Sequence, residues 1–423
     1  MILKNIRYLV TQNADRQILE NVDVKVSENE ISAIGHDLSS EDEEVLDCSD
    51  KVVMPGLINA HTHVSMTLLR GISDDLELDD WLHDVIFPAE EKLDAKDAYV
   101  GAKLGCLEML KSGTTTFNDM YDHMGQVAEA VEETGMRAVL SRGVLDVDGN
   151  GDERMAEAVD FAIDYSEHER INPGFAPHAV YTASTDVLSE LKEFADDLDS
   201  VYHIHVSETR SEVEDFVTQN NVTPLQHLDN LDLVDDNLIA AHCVWMMDEE
   251  KYILEENGGT VVHNPAANLK LGSGIADIPD FLDRGINVAL GTDGVASNNN
   301  LNLFEEAKLT GLLHKRESPT RITAQEILDM MTVNGAEALG KSDEIGSIAV
   351  GKKADLITID LDSEEMSPVH GKEGLISNIV FSCSGSVDDV IVDGELVVKA
   401  SRHVSMDESD VISEARKVSR KFS

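Results

Sequence analysis

The sequence predicts an α/β fold, a TIM-type (β/α)8 barrel with a small β-sandwich domain built from both chain ends. Apolar strand-like runs alternate with amphipathic helical stretches in the middle of the 423-residue chain. This alternation, over roughly 290 residues, is long enough for a parallel barrel of about 250 residues. Short strand-like runs joined by turns occur at both ends of the chain, which predicts a second, smaller unit. We expect that small domain at residues 1–54 plus 346–405, the barrel at residues 55–345 and a C-terminal helix at residues 406–423.

The two chain ends contain alternating apolar and polar residues, the pattern of half-buried strands. Residues Val22–Val26 show it near the N-terminus and Asp355–Ile359 near the C-terminus. Residues Asp389–Val398 are typical of a hairpin, because Asp393-Gly394 is a favoured two-residue turn. The closing stretch Glu408–Lys421 predicts a surface helix.

Eight apolar runs between these ends supply one candidate strand for each place in the barrel. They end at His61/His63, Thr114–Phe117, Ala138–Leu140, Gly174–Ala176, Val201–His205, Leu238–His242, Thr260–His263 and Val288–Asp293. Catalytic groups of such barrels lie at the C-terminal ends of the strands, and the chemically distinctive residues of this chain fall there.

The chain is strongly acidic, with 82 acidic against 33 basic residues and a formal charge of -49. Such a charge repels nucleic acid and anionic membranes, so neither is an expected partner. The acidic residues are spread along the chain, which favours a solvated acidic surface and a halophilic source whose salt-rich cytoplasm screens the repulsion. No apolar stretch reaches the roughly 18 residues of a membrane-spanning helix. No export signal is evident at the N-terminus, so we expect a cytoplasmic protein.

Four cysteines, Cys48, Cys106, Cys243 and Cys383, lie far apart and form no CxxC pair. In a reducing compartment we expect them to be free, buried thiols. The missing CxxC also argues against the zinc deaminase design in which H-x-E is followed by P-C-x-x-C. The chemistry is therefore expected from histidine and carboxylate side chains.

Histidines and one aspartate at the ends of candidate strands predict a metal site. His61 and His63 follow a strand-like apolar run, and residues two apart on a strand project to the same side. His205, His242 and Asp293 each close a separate candidate strand and would converge on one barrel mouth. Three imidazoles and a carboxylate suit zinc or a similar ion, with one position open for an activated water. The pattern predicts a metal-dependent hydrolase.

Some of these assignments have alternatives. His203 and His205 lie on the same side of one strand, and we assign the ligand to His205 because it is nearer the strand end and Glu208. The position of Glu208 favours a proton shuttle, although a solvated carboxylate is the simpler alternative in so acidic a chain. Asp293 is expected to be a ligand or a proton acceptor, the alternative being an ordinary turn residue.

Five segments of the chain resemble the amidohydrolase superfamily. They are Pro55–His63 (PGLINAHTH), His205–Thr209 (HVSET), Ala241–Val244 (AHCV), Asn264–Gly272 (NPAANLKLG) and Gly291–Gly294 (GTDG). The nearer likeness is to the methylthioadenosine/S-adenosylhomocysteine deaminases, and it runs over nearly the whole chain. The resemblance implies a barrel with a β-sandwich domain built from both chain ends.

The resemblance implies one zinc ion per chain, with iron and manganese as alternatives, and four ligands, namely His61, His63, His205 and Asp293. It also implies that His242 and Asp293 orient and deprotonate the attacking water, while Glu208 protonates the ring nitrogen beside the carbon under attack. Binuclear members of the superfamily use a modified lysine at a mid-barrel strand end. This chain has no lysine from residue 112 to residue 191, so one metal is expected.

The same resemblance implies substrate contacts. Glu90 matches a residue that binds the ribose hydroxyls, and His178 and Glu208 match residues that also contact the nucleoside. Arg142 and Arg154 match positions that hold the amino-acid carboxylate of S-adenosylhomocysteine. Surface ion pairing in an acid-rich chain is the alternative for both arginines.

These residues predict metal-dependent, hydrolytic deamination of an adenine nucleoside to the inosine-type product and ammonia. The candidate substrates are methylthioadenosine, S-adenosylhomocysteine, 5'-deoxyadenosine and adenosine. The preference among them depends on the shape of the pocket, so all four stay open. The rival enzymatic functions are guanine or cytosine deamination and removal of chloride from a triazine ring. A non-catalytic scaffold on a retained barrel is the alternative from another class. The sequence leaves open whether the protein forms a homo-oligomer.

Overall fold

The computed structural model describes residues 1–76 and 78–422, and these residues form two β-sheets. The strands are, in chain order, β1 Ile2–Val10, β2 Ile18–Ser27, β3 Glu30–Gly35, β4 Val45–Asp47, β5 Lys51–Pro55, β6 Leu57–Thr62, β7 Thr114–Tyr121, β8 Arg137–Val144, β9 Ile171–Pro177, β10 Tyr202–Val206, β11 Leu238–His242, β12 Thr260–His263, β13 Asn287–Leu290, β14 Leu356–Asp360, β15 Asp389–Val392, β16 Glu395–Lys399 and β17 Arg402–His403. Strands β6 to β13 form one sheet, and strands from the two chain ends form the other.

The first sheet is the predicted parallel barrel of eight strands, in which each strand pairs with its neighbours in chain order. Its last and first strands are joined where the N–H groups of Thr292 and Asp293 donate to the carbonyl of His61, at 3.1 and 3.0 Å. The side-chain amide of Asn59 adds two hydrogen bonds to Thr292, at 2.7 and 3.0 Å. These contacts tie the segment that carries Asp293 directly to the strand that carries His61.

The second sheet contains nine strands from both chain ends, as predicted. Its order is β17-β16-β15-β14-β5-β1-β2-β3, with β4 beside β1. The antiparallel pair β14 and β5 joins the C-terminal strands to the N-terminal ones. The sheet folds back on itself, because the N–H of Ile31 on β3 donates to the carbonyl of Lys352, just before β14, at 2.8 Å. The hairpin predicted at Asp393-Gly394 is confirmed, with φ angles of 51° and 78° that suit a type I′ turn.

Helices connect the barrel strands and cover the barrel. In chain order they are α1 Leu78–Trp81, α2 Phe87–Glu90, α3 Ala95–Lys111, α4 Met124–Thr134, α5 Gly151–Tyr165, α6 Thr185–Asp197, α7 Arg210–Asn220, α8 Pro224–Asn230, α9 Asp248–Asn257, α10 Pro265–Lys270, α11 Ile278–Asp283, α12 Val295–Asn298, α13 Leu303–His314, α14 Ala324–Met331, α15 Val333–Ala338, α16 Gly371–Phe381 and α17 Glu408–Val418. A π-helical turn covers Leu82–Ile86, and 3-10 helices cover Val64–Leu69 and Ser419–Phe422. Among the described residues, no helix combines the length and the hydropathy that crossing a bilayer requires.

A buried ion cluster joins the two sheets at the start of strand β8. Nε of Arg137, the first residue of β8, donates to Asp355 at 2.9 Å, and Nη2 donates to Asp393 at 2.9 Å. The side chains of Arg137 and Asp355 are only 1% and 3% exposed. A buried guanidinium is costly unless it is paired, so these contacts position the second sheet against the barrel.

Gly56 alone separates β5 of the second sheet from β6 of the barrel. Its N–H donates to the carbonyl of Asp355 at 2.9 Å. A Cβ atom at this position would lie 2.1 Å from Oγ1 of Thr115, so only glycine fits without a shift of the Thr115 side chain. The chain thus passes in one residue from the second sheet to the strand that carries His61.

The predicted C-terminal helix is present as α17, and it packs against α3. Nζ of Lys111 on α3 is paired with Glu408 at 2.6 Å. Val411 and Ala415 of α17 are buried, while most of its charged residues face solvent. The helix therefore covers one side of the barrel with a narrow apolar face.

Candidate metal centre and active site

Five side chains from four strand ends converge at the C-terminal mouth of the barrel. His61 lies on β6 with His63 just beyond it, His205 lies on β10, His242 ends β11 and Asp293 follows β13. The ligand atoms of His61, His63 and His205 lie within 4.8 Å of one another, and so do those of His61, His242 and Asp293. The structure thus brings together the four predicted ligands and the predicted proton-transfer residue His242.

Three imidazoles are oriented through their Nδ1 atoms. Nδ1 of His63 donates to a backbone carbonyl of β7 at 2.6 Å, and Nδ1 of His205 donates to the carbonyl of the residue after β9 at 2.7 Å. Nδ1 of His61 lies 2.9 Å from Nε2 of His203. With Nδ1 as donor, Nε2 of each ring is free to bind a cation. The two histidines of β10 therefore differ, because His205 faces the mouth while His203 orients His61.

The side chains fit a divalent cation. Nε2 of His61 is buried and has no hydrogen-bond partner among the described residues. Oδ1 of Asp293 lies 3.5 Å from this atom and 3.3 Å from Nε2 of His63. Imidazole nitrogens and a carboxylate oxygen suit zinc, and also iron or manganese. A buried imidazole nitrogen without a partner is otherwise costly, so the environment of His61 supports a metal at this place.

Asp293 is held as an anion. Burial alone would raise its pKa, but the imidazoles of His61 and His63 outweigh burial and hold the pKa well below its ordinary value. The N–H of Gly294 donates to Oδ1 at 2.7 Å, and the hydroxyl of Ser297 donates to Oδ2 at 2.8 Å. A charged carboxylate in this position can bind a cation or accept a proton.

Glu208 lies beside His242 in a buried position. Burial raises the pKa of Glu208, and the hydroxyl of Ser273 donates to its Oε1 at 3.0 Å. Oε2 lies 3.8 Å from Nε2 of His242, whose Nδ1 donates to Oδ1 of Asn268 at 2.8 Å. The pKa values of Glu208 and Asp293 are shifted in opposite directions within one cavity. Such a difference lets two carboxylates serve as acid and base.

Positive backbone φ angles mark the strand ends that carry these groups. Ser207, His242 and Asp293 have φ angles of 51°, 74° and 59°. Non-glycine residues adopt this conformation rarely, and such residues cluster at functional sites. The carboxylate of Glu212 holds the first of these turns, because it accepts from the N–H groups of Ser207 and Glu208 at 2.9 and 2.7 Å. The turn at Ser207 thereby fixes the backbone that presents Glu208.

A cavity beside the predicted ligands has one apolar and one polar wall. The apolar wall comes largely from the helical segment after residue 77 and comprises Leu78, Trp81, Leu82, Ile86 and Phe87. On the polar side, the hydroxyl of Tyr121 donates to Glu90 at 2.6 Å. Burial raises the pKa of Glu90 to about 7 despite this hydrogen bond. Glu90 and His178 both line the cavity, together with His205, Glu208 and Asp293.

The two arginines that the resemblance assigns to a substrate carboxylate lie in different places. Arg142 lines the cavity, but its Nε donates to Glu157 at 2.6 Å and its Nη1 is paired with Asp122. Arg154 makes two hydrogen bonds of 2.7 Å to Asp148 and is not among the described residues that line the cavity. Arg154 therefore fits the alternative of a surface ion pair, whereas Arg142 forms ion pairs and also lies at the cavity wall.

Several residues of this site could not be identified from the sequence alone. The part played by Asn268 depends on the packing of α10 against the end of β11, which no local pattern reveals. Tyr121 reaches Glu90 only because β7 continues to the barrel mouth. Serine is common in loops and short helices, so the contacts of Ser273 with Glu208 and of Ser297 with Asp293 are evident only in the three-dimensional structure.

Comparison with known proteins gives a consistent family assignment. A model of the Amidohydrolase family matches residues 52–397. The chain is 45% identical over 406 residues to a 5'-deoxyadenosine deaminase of Methanosphaera stadtmanae, and the match covers 94% of each chain. It is 44% identical over 384 residues to a 5-methylthioadenosine/S-adenosylhomocysteine deaminase of Thermococcus sibiricus, covering 89% of each chain. The crystal structure of an adenosine deaminase from Xanthomonas campestris with bound zinc matches with a TM-score of 0.95 and 34% identity, over 100% of this chain and 98% of that one.

These matches include both sheets and every segment that contributes to the candidate metal centre. The family match begins in β5 and ends in β16, so it contains the whole barrel and part of the second sheet. Because the family model matches most of the chain and the relatives are similar over nearly their full length, the chain belongs to the amidohydrolase family.

Proposed function

We propose that this protein is a metal-dependent hydrolase that deaminates an adenine nucleoside to the inosine-type product and ammonia. One observation carries the proposal: two carboxyl groups with oppositely shifted pKa values, Glu208 raised and Asp293 lowered, lie in one cavity with the histidines of the candidate metal centre. The relatives are named as deaminases of 5'-deoxyadenosine, of methylthioadenosine and S-adenosylhomocysteine, and of adenosine, which supports the substrate class.

Hydrolytic deamination requires a nucleophilic water, a base and an acid. One zinc ion per chain, or iron or manganese in its place, would supply a water of lowered pKa when bound by His61, His63, His205 and Asp293. Asp293 accepts a proton from the attacking water, and His242, fixed by Asn268, orients that water. Glu208 donates a proton to the ring nitrogen next to C6. Asp293 then passes the proton it took from the water to the exocyclic amine, the C6–N bond breaks and ammonia leaves. The hydroxyl at C6 returns its proton to Glu208, which gives the inosine-type product.

The sugar is proposed to bind at the polar wall. Tyr121 occupies Oε1 of Glu90, which leaves Oε2 to accept hydrogen bonds from the ribose hydroxyls. His178 lines the same cavity, and its Nδ1 lies 2.9 Å from the hydroxyl of Thr182, so the ring is held at the wall. We propose that His178 contacts the nucleoside through its other nitrogen.

Ammonia release from a substrate panel tests the proposal. The panel contains the four candidate adenine nucleosides, guanine and cytosine, assayed in molar KCl. We expect turnover of adenine nucleosides and none of guanine or cytosine. Glu208→Gln is expected to reduce kcat by about 100- to 10,000-fold, because an amide cannot donate an acid proton. Glu214→Gln, which removes an exposed carboxylate from α7, is the matched control. Full activity of Glu208→Gln would contradict the acid role, and turnover of guanine alone would contradict the nucleoside.

Metal content is measured on the same preparations. We expect about one zinc, iron or manganese ion per chain by elemental analysis, and a large loss of bound metal in His61→Ala. Removal of the metal by a chelator should abolish turnover, and added zinc should restore it. A purified wild-type protein that binds none of these metals would favour the non-catalytic scaffold instead.

We also propose that the enzyme works in a salt-rich cytoplasm. The excess of 82 acidic over 33 basic residues supports this proposal, because salt at high concentration screens the repulsion between the acidic side chains. All four cysteines are free and buried, as the sequence predicts, and free thiols suit a reducing compartment.

A further inference from the structure

We infer that Asp122 and Glu157 are specificity-determining residues. They hold the guanidinium of Arg142 and thereby make the cavity select a nucleoside with an uncharged 5' substituent over one that carries a carboxylate. The inference rests on the proposed adenine nucleoside and extends it to the group attached at the far end of the sugar.

The charge distribution of the cavity is the first observation. Arg142 is the single arginine or lysine among the described residues that line the cavity. The carboxylates of Glu90, Asp122, Glu208 and Asp293 line the same cavity. Asp293 is a candidate metal ligand and Glu208 lines the same part of the site beside His242. Away from the metal centre, a ligand carboxylate would meet Arg142 with Asp122 and Glu90, so recognition of an anion depends on whether Arg142 is available.

Arg142 is already paired on two of its nitrogens. Nε donates to Oε2 of Glu157 at 2.6 Å. Nη1 is paired with Oδ1 of Asp122 and also donates to the carbonyl of Gly143 at 2.6 Å. A substrate carboxylate would have to displace one of these carboxylates or approach as a third anion. Either event costs Coulomb energy that a neutral substituent does not incur.

Three elements hold this ion cluster together. Arg142 lies on β8 opposite Tyr121 of β7, Asp122 is the residue after β7, and Glu157 lies on α5. The Arg142 side chain is 12% exposed, whereas Asp122 and Glu157 are 49% and 53% exposed. The counter-ions thus lie towards solvent, where a single substitution can remove a charge with little effect on the buried core.

The remainder of the wall suits an apolar substituent. Apolar side chains line a large part of the cavity, among them Leu78, Trp81, Leu82, Ile86, Phe87 and Leu145. Apolar walls with a few polar groups favour small uncharged ligands. A 5'-methyl or methylthio group would pack against such side chains, whereas an amino-acid carboxylate would have to share Arg142 with Asp122 and Glu157.

Specificity is tested by the ratio of kcat/KM for S-adenosylhomocysteine to kcat/KM for 5'-deoxyadenosine. Glu157→Gln is expected to raise this ratio about threefold to fivefold, the range of a partly exposed ion pair, because it frees one face of the guanidinium. Asp122→Asn is expected to act in the same direction. Glu153→Gln removes an equal charge from an exposed position one turn earlier on α5 and should leave the ratio unchanged.

The double variant Glu157→Gln/Arg142→Gln shows whether the effect passes through Arg142. We expect the gain in the ratio to disappear. A gain that persists without Arg142, or no gain in either carboxylate variant, would show that the inference is wrong. If wild-type protein deaminates no adenine nucleoside, the proposed function fails instead. Calorimetric Kd values for the same two nucleosides then decide, and an unchanged Kd ratio in Glu157→Gln overturns the inference.

Discussion

At the scale of single residues, hydrogen bonds decide which atom of each site residue faces the cavity. His61 is oriented by His203, and His242 by Asn268. The sequence predicts that these histidines lie at strand ends, because their positions relative to the apolar runs can be counted along the chain. It does not predict which ring nitrogen is occupied, because the partners come from other strands and helices. Such supporting contacts affect metal sites about as strongly as the ligands do.

Asn268→Ala is expected to reduce kcat about 10- to 100-fold with little change in KM. The reason is that Nδ1 of His242 loses its acceptor at 2.8 Å, so the ring is no longer held with Nε2 towards the water. Asn268→Asp retains an acceptor oxygen and should recover most of the lost activity. Steady-state kinetics measures both variants, and circular dichroism checks that both are folded. Wild-type kcat in Asn268→Ala would contradict the positioning role.

Glu306 on α13 makes stability depend on pH. It is fully buried and accepts hydrogen bonds from the N–H of Ala266 at 3.0 Å and from Asn298 at 2.7 Å. Burial raises its pKa to about 8, from an ordinary value of 4.5. Between these pH values the folded state binds a proton that the unfolded state has lost, so the free energy of unfolding falls as pH rises.

We expect Glu306→Gln to flatten this pH dependence between pH 5 and 8. The contribution of one such group is at most about 1.4 kcal/mol per pH unit. Chemical denaturation at several pH values compares wild type with the variant. The half-buried Glu90 and Glu212, whose pKa values are also raised to about 7, act in the same direction in both proteins. An identical slope in the two proteins would be evidence against a raised pKa at Glu306.

At the scale of elements, the sequence predicts the number and order of the barrel strands well, because buried parallel strands are uninterrupted apolar runs. It places the end of the last strand too late, because β13 ends at Leu290 and Asp293 lies in the following loop, and it underestimates the length of two others. The candidate Thr114–Phe117 continues as β7 to Tyr121, and the candidate ending at Leu140 continues as β8 to Val144. Each extension begins with two polar or charged residues, Asn118-Asp119 in β7 and Ser141-Arg142 in β8, so the apolar pattern ends before the strand does. Tyr121 and Arg142 lie in these extensions, which is why their place in the cavity was not derivable from periodicity.

Arg137→Met is expected to lower the free energy of unfolding by about 3 to 5 kcal/mol, because it leaves Asp355 and Asp393 buried without a cation. Guanidinium chloride denaturation measures the loss. The double variant Arg137→Met/Asp355→Leu should recover part of it, since one unpaired carboxylate is then gone. A loss below about 1 kcal/mol would indicate that the cluster is solvated and contributes as little as a surface pair.

At the scale of the whole molecule, the formal charge of -49 dominates behaviour in solution. Lys and Arg side chains are mostly used in ion pairs such as Lys51 with Asp389 and Lys251 with Asp280, at 2.6 and 2.8 Å. These pairs neutralise single acidic groups but leave a large net excess. Self-repulsion of the folded state should therefore vary strongly with ionic strength.

We expect Tm to rise by on the order of 10 °C between 0.1 M and 1 M KCl, as the screening length falls from about 10 Å to about 3 Å. Scanning calorimetry across KCl concentrations measures it. An equal concentration of choline chloride separates general screening from specific binding of potassium. A Tm that does not respond to either salt would contradict the proposed salt-rich environment.

The passage through Gly56 has a consequence for how this architecture can be rearranged. Because one glycine carries the chain from β5 into β6, the two units share a rigid joint next to the strand that bears His61 and precedes His63. Chimeras that exchange the terminal sheet between relatives, cut at this joint, would have to preserve both the glycine and the bulk of Thr115 opposite it. The second sheet therefore helps to fix the position of the strand that carries His61 and leads to His63, and it cannot be exchanged independently of the barrel.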